Sequence, residues 1–354
     1  KGGVLGRRIE VVLADGQSDE AVFAREAARL IEKENVCTIF GGWTSASRKA
    51  IIPIVERHNH LLMFPSGSEG GEQSSNVIYL GPVPNQRILP GLRWLVGFQG
   101  KRKWFLVGSD YVFPVTANAV IRDEATSLGC EIVGEEYLLL GSSKVEPVVK
   151  KIQETKPDLI VNTINGDTNV AFYRELRRGN GPASTIPVLS ISISEGELTA
   201  LGPGLTAGDY RSSCYFQSLS HPENREFLKR FRARYGKDRQ VSGPMATAYS
   251  GVFLWAKAVE SANSTQPHAI KAALQGQSVV SPLGAIRIDS ITHHTVQTAH
   301  VGRLDEKGET QVVYSSPRPV LPEPFPRSRS RMEWATFLDG LYKRWGNRWS
   351  NPGP

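Results

Sequence analysis

Strand-like runs alternating with helix-like runs constrain this chain more than any other feature. Residues 9–13, 36–40, 61–64 and 77–80 are short apolar or β-branched runs, and 19–33, 45–59 and 85–98 space apolar residues at helical intervals. Pro53 predicts a kink or break in the second of those helices. A second series follows. Strand-like 104–107, 131–137, 159–162, 187–191 and 210–216 alternate with helix-like 114–128, 144–154, 168–178, 195–201 and 222–235. Strands alternating with helices of this length imply parallel sheets covered on both faces, and two series imply two lobes. Two apolar helices are expected at 243–262 and 269–274, then strands near 285–288, 298–304 and 311–314. Strands so late suggest a chain that crosses between lobes more than once. Gly179-Asn180-Gly181 follows a helix and reads as a loop.

Length and composition narrow the classes. The 354 residues, 40% of them hydrophobic, have room for two packed cores. No run of some 18 apolar residues exists to span a membrane. The opening KGGVLGRR lacks a signal-peptide apolar region and reads like the middle of a domain. Net charge is +7, but residues 317–354 carry seven Lys or Arg against three Asp or Glu, which leaves +3 on the rest and argues against a nucleic-acid partner. Cys37, Cys130 and Cys214 form no metal or redox spacing, and Cys37 and Cys130 are expected to be buried.

In open α/β sheets, ligands sit beyond the carboxyl ends of the strands. Those ends here carry Trp43-Thr44-Ser45, Phe64-Pro65-Ser66-Gly67, Asp110-Tyr111-Val112-Phe113 and Asn165-Gly166-Asp167. Hydroxyls, amides and aromatic rings in that mix suit a small polar molecule held by neutral hydrogen bonds. Taken alone, FGGWTSASRK at 40–49 suits an ordinary helix N-cap equally well. Catalytic patterns such as GxSxG, HExxH, the P-loop and GxGxxG after a strand are absent. Asp110 and Asp167 lack an accompanying nucleophile, so no catalytic residue, metal site or cofactor is assigned. His293 and His294 would point opposite ways in a strand, and His58 and His60 are expected to be solvated.

The tail has its own character. Residues 316–331 are rich in Pro and Arg, and 333–345 place Trp334, Phe337, Leu338, Leu341 and Trp345 on one helical stripe ending at Gly346. Such a stripe packs onto the main body, or it docks at a partner or membrane surface.

Taken in order, GGVLGRRIEVVLADGQSD, FGGWTSASRKA, FPSGSEG, PVPNQ, VGSDYVFPVTAN, NGDTNVAFY and the helix from Pro244-Met245 to Trp255 resemble the periplasmic solute-binding proteins of urea and short-chain amide uptake and sensing. These form a branch of the branched-chain amino acid-type periplasmic binding proteins. The resemblance covers about residues 1–320. It implies the type 1 periplasmic binding protein fold, with two Rossmann-like α/β lobes joined by three crossovers and ligand trapped by hinge closure. Lobe 1 would comprise 1–101 and 242–294, lobe 2 would comprise 102–241 and 295–316, and 317–354 would form a linker and amphipathic helix.

By motif match, Trp43, Thr44, Ser45, Phe64, Ser66 and Gly67 fall in the first lobe's ligand loops. Tyr111, Phe113, Asn165, Gly166, Asp167 and Ser192 fall in the second's. The implied function is non-catalytic: binding of urea or a short amide in the periplasm for an ABC permease. The alternative is the sensor domain of an amide-responsive receptor or regulator, which would be cytoplasmic in the latter case. The family's first strand and helix precede GGVLGR and are missing here, which implies a truncated chain. Ser68 stands where urea-type members carry Tyr, and Ala246 where they carry an acid. Both exchanges are expected to leave room for a larger amide or another small polar solute.

Overall fold

The computed structural model describes residues 3–180 and 182–353, so Gly181 of the expected 179–181 loop lies outside it. Helix α1 (Glu20–Glu32) is capped by Asp19, whose carboxylate accepts from the Val22 amide at 2.9 Å. Strand β1 (Ile39–Phe40), helix α2 (Ser45–Arg57) and strands β2 (Leu62–Phe64) and β3 (Val77–Tyr79) complete the first unit. The three strands are parallel in the order β1-β2-β3. Ala27 and Leu30 of α1 and Ile51 and Val55 of α2 close a core against Leu62, Phe64, Val77 and Tyr79.

Helix α3 (Pro84–Gln99) leads to a second, seven-stranded sheet. In chain order it holds β4 (Lys103–Ser109), α4 (Val112–Leu128), β5 (Glu131–Leu138), α5 (Glu146–Thr155), β6 (Leu159–Thr163), α6 (Thr168–Leu176), β7 (Val188–Ser190), α7 (Glu195–Leu201), α8 (Pro203–Thr206) and β8 (Tyr210–Ser213). Successive residues alternate between its two faces. Trp104 and Leu106 pack with α3 and α4, while Phe105 and Val107 pack with α5 and α6.

Helices α9 (Pro222–Tyr235), α10 (Gly243–Ala262) and α11 (Pro267–Leu274) return to the first lobe. There β9 (Ser278–Ser281), β10 (Gly284–Ile288) and β11 (Thr295–Val296) make a small antiparallel sheet. Strands β12 (His300–Leu304) and β13 (Thr310–Ser315) then join the large sheet, giving the order β13-β12-β8-β7-β6-β4-β5. The chain thus crosses between two α/β lobes three times: between β3 and α3, between β8 and α9, and between β11 and β12.

Several expectations fail for physical reasons. Residues 9–13 form no strand, and Val11 and Leu13 are exposed. A strand needs a neighbour to take its backbone hydrogen bonds, and among the described residues no sheet includes this segment. Helix α2 runs unbroken through Pro53, whose ring lies on the exposed side. His60 is buried, with its Nε2 at 2.7 Å from the Val36 carbonyl. Cys37 and Cys130 are only half-buried, and Cys214 is the buried thiol.

Helix α12 (Arg331–Arg344) lies on the protein, with its stripe turned inward. Trp334 is fully buried beside Ala119 and Val120 of α4, and its indole donates to the Pro326 carbonyl at 2.9 Å. Arg329 grips Asp123 at 2.8 and 2.9 Å. The chain then runs on to Trp349, whose carbonyl accepts from the Val112 amide at 2.9 Å and whose ring lies 4.8 Å from Lys49 Nζ. The last residues therefore touch both lobes.

Candidate ligand-binding cleft

The first wall starts at the N-terminus of α2. Thr44 is its cap, accepting from the Ser47 amide at 3.1 Å. Ser45 and Arg48 lie one turn apart on the same helix face. Their target is the loop after β2. Ser45 Oγ donates to Glu69 at 2.5 Å, and Arg48 reaches Glu69 at 3.1 Å and Glu72 at 2.7 Å. Lys49 adds a 2.7 Å contact to Glu72. Burial works to raise the Glu72 carboxyl, but Arg48 and Lys49 outweigh it and hold it well below the ordinary carboxylate range. This lattice fixes the loop that presents Ser66 and Gly67. Gly81 permits the fit, since a Cβ there would stand 2.1 Å from the Ser66 carbonyl oxygen.

Arg87 reaches the cleft from α3, which packs on the large sheet. The start of that helix is held by Gln86, whose amide donates at 2.8 Å to both the Thr295 and Val320 carbonyls. The Arg87 guanidinium lies 5.0 Å from the centre of the Phe113 ring. Its Nε and Nη2 are buried and have no hydrogen-bond partner. Burial pulls this guanidinium down to about 10.

The opposite wall comes from strand ends of the large sheet. Tyr111 caps the entry to α4, and Phe113 sits in its first turn. Burial pushes the Tyr111 hydroxyl above its ordinary value. Asn165 is fixed through its backbone N–H, which donates to Ser109 Oγ at 3.0 Å. The turn after β7 brings Ser192 and Glu195, and Glu195 pairs with Arg211 at 3.2 Å.

Between these walls lies a cavity of ≈ 90 Å³. Since one water needs about 10–15 Å³ of such space, a molecule of several heavy atoms fits. Trp43, Ser45, Ser66, Gly67, Tyr111, Phe113, Asn165 and Ser192 line it, as do Arg87, Glu195 and Arg211, which the sequence did not single out. Four expected residues do not. Thr44 is occupied in the cap, Phe64 is fully buried under the Arg48 guanidinium, and Gly166 and Asp167 are exposed at the entry to α6. Ser45 lines the cleft with its hydroxyl already engaged by Glu69 and Arg48. Ser68 and Ala246 are buried outside the lining.

His294 stacks on Tyr79 with ring centroids 4.0 Å apart. Among the described residues, no group of three or more His, Cys, Asp or Glu is arranged to hold a metal ion. Asp110 accepts from the Asn351 side chain of the tail at 2.5 Å. The cleft lining contains neither histidine nor cysteine. Among the described residues, no helix is long and apolar enough to cross a membrane.

Residues 1–331 match the periplasmic binding protein domain family. The Leu/Ile/Val-binding protein homolog 6 of Brucella melitensis is 27% identical over 301 residues, covering 83% of this chain and 76% of that one. A limonene hydroxylase of Geobacillus stearothermophilus is 36% identical over 124 residues, which is 35% of this chain and only 23% of that protein. Among solved structures, an ABC-transporter solute-binding protein of Rhodopseudomonas palustris in complex with 4-hydroxybenzoate superposes with a TM-score of 0.82. It is 21% identical, with 90% of this chain and 89% of that one covered.

Proposed function

The chain belongs to the periplasmic binding protein domain family, and on that premise we propose that it is a non-catalytic solute-binding protein that traps one small polar molecule between its lobes for an ABC permease. The observation that carries this reading is a pair of hydroxyls. Ser66 Oγ of the first lobe and Ser192 Oγ of the second are both buried, both without a partner, and both on the same cavity. An unsatisfied buried polar group costs about 1–3 kcal/mol, and a ligand hydrogen-bonded to both lobes relieves that cost while drawing the lobes together. We take lobe 1 as 1–83 with 222–294 and lobe 2 as 84–221 with 295–316, since α3 packs on the large sheet and α9 on the first lobe, and 317–354 as the linker and C-terminal helix.

The motif resemblance supplies urea or a short-chain amide as the narrower ligand class. Ser66, Tyr111, Asn165 and Ser192 offer the neutral donors and acceptors it needs. The relatives' names point to other small molecules with one strongly polar end, namely branched-chain amino acids and 4-hydroxybenzoate. Family membership supports an extracytoplasmic location. A sensor domain would use the same cleft, and the contacts of Trp349 with Lys49 and Val112 favour that second reading, because they couple the tail to both lobes.

A thermal-shift screen of the full chain against urea, short amides, amino acids and small aromatic acids tests the proposal. A true ligand at 100 times its Kd stabilises by about 2.7 kcal/mol. A screen in which no solute raises the melting temperature at millimolar concentration contradicts it.

A further inference from the structure

We infer that Arg87 is an anion-binding group of the cleft and that the solute held there carries a carboxylate. This rests on the solute-binding reading and narrows it in a direction the neutral-amide class does not take.

The two arginines with the least exposed side chains, Arg48 and Arg211, and the nearly buried Arg177 all have acids. Arg48 has Glu69 and Glu72, Arg177 has Asp209 at 2.8 Å, and Arg211 has Glu195. Arg87 has no carboxylate within ion-pairing distance among the described residues, although its Nε and Nη2 are fully shielded. A buried charge is normally paired or hydrogen-bonded, because its desolvation is otherwise uncompensated. Glu69, an acid near enough to influence Arg87, is already held by Arg48, Lys49 and Ser45. Phe113 covers one face of the guanidinium, so the in-plane N–H groups remain for a partner.

The surroundings select the kind of anion. Ser66 Oγ is buried and unpartnered beside Gly67, and Gly67 lies so near that a Cβ there would meet Arg87 Nη1 at 2.7 Å. Tyr111 lines that same cavity. A planar guanidinium fork with neighbouring hydroxyls matches a carboxylate, which accepts two parallel N–H bonds and keeps lone pairs for O–H donors. One uncompensated cation suits a monoanion. Trp43, Tyr111 and Phe113 supply flat apolar walls, so the acid's remainder is a compact aromatic or short aliphatic group.

Matched acid and amide pairs test this. Isothermal titration of the full chain with benzoate against benzamide, and propionate against propionamide, separates charge from shape. The acid of at least one pair is expected to bind roughly tenfold to a hundredfold tighter than its amide. Arg87→Gln is expected to erase that preference, and Arg87→Lys to retain part of it. Ligand-free Arg87→Met is expected to melt no lower than the wild type, since it removes an uncompensated buried charge, whereas a purely structural arginine would lower the melting temperature. An amide that binds as tightly as its acid, or Arg87→Gln with unchanged acid affinity, overturns the inference and leaves the solute-binding reading standing. Silence from all four probes also overturns it. Only silence across the wider solute screen removes both.

Discussion

The Ser45 hydroxyl donates to the Glu69 carboxylate at 2.5 Å while accepting from Arg48 Nη1 at 3.0 Å. A serine that lines the cavity is thus also part of a closed charge lattice. Arg48 and Glu69 are both fully buried, so the cleft's first wall is held by an ion pair with no water to soften its loss.

Glu69→Gln is therefore expected to destabilise the protein by about 3–5 kcal/mol, because it leaves Arg48 only partly compensated. Guanidinium chloride unfolding measures this. The double change Glu69→Gln with Arg48→Met should cost less than the sum of the single changes, and additivity would show that the two side chains do not act as a pair.

Gly67→Ala should behave differently. The added methyl meets the far end of the flexible Arg87 side chain, which can swing aside. Unfolding should shift by about 1 kcal/mol or less, while solute affinity falls because the guanidinium and Ser66 no longer converge. Equal affinity in Gly67→Ala and wild type, read by titration calorimetry, would dissociate Gly67 from the cleft.

Acid should weaken the fold in two stages. Burial pulls the His294 imidazole down to about 3 and that of His300 down to about 4, against an ordinary value of 6.5. Below 6.5 the unfolded chain takes up protons that the folded chain refuses, so stability falls with falling pH. At pH 5 the loss is about 2 kcal/mol for each histidine. Glu72, held below its ordinary 4.5, adds a further loss once the pH drops beneath that value. Denaturation midpoints at pH 7.5 and 5 check the first stage, and His294→Gln should remove about half of it.

The tail contacts predict a local effect of truncation. The Val112 amide donates to the Trp349 carbonyl, and Asn351 bonds Asp110 through both its backbone and its side chain. A chain ending at Gly346 should lose hydrogen-exchange protection at Val112 while the interior of β4 stays protected. Trp334→Ala, by contrast, opens a buried cavity and should cost about 3–5 kcal/mol globally.

The two α/β lobes were legible because each β–α unit declares itself locally, by an apolar run and then a helical stripe. The cleft was legible where a residue that lines it sits at a strand end, as Trp43, Ser66, Tyr111 and Asn165 do. Arg87 was not, because an arginine one turn into an amphipathic helix reads as solvent-facing. Its burial comes from the packing of α3 on the large sheet and from Phe113 at the start of α4, contacts that only the fold brings together. The Arg48–Glu69 pair was missed for a similar reason: the partners are 21 residues apart, and only the fold of the loop after β2 joins them. Residues 9–13 misled in the opposite sense, since strand chemistry without a partner strand yields no strand.

The central claim is that one solute sits between the lobes and touches both. Titration calorimetry with the first solute found to stabilise the full chain, repeated on Ser66→Ala from one lobe and Tyr111→Phe from the other, tests it most directly. The account predicts one-to-one binding in the wild type and a loss of about 0.5–1.5 kcal/mol in each variant, with melting temperatures of the free proteins little changed. Unchanged affinity in both variants would place the ligand elsewhere and contradict the account.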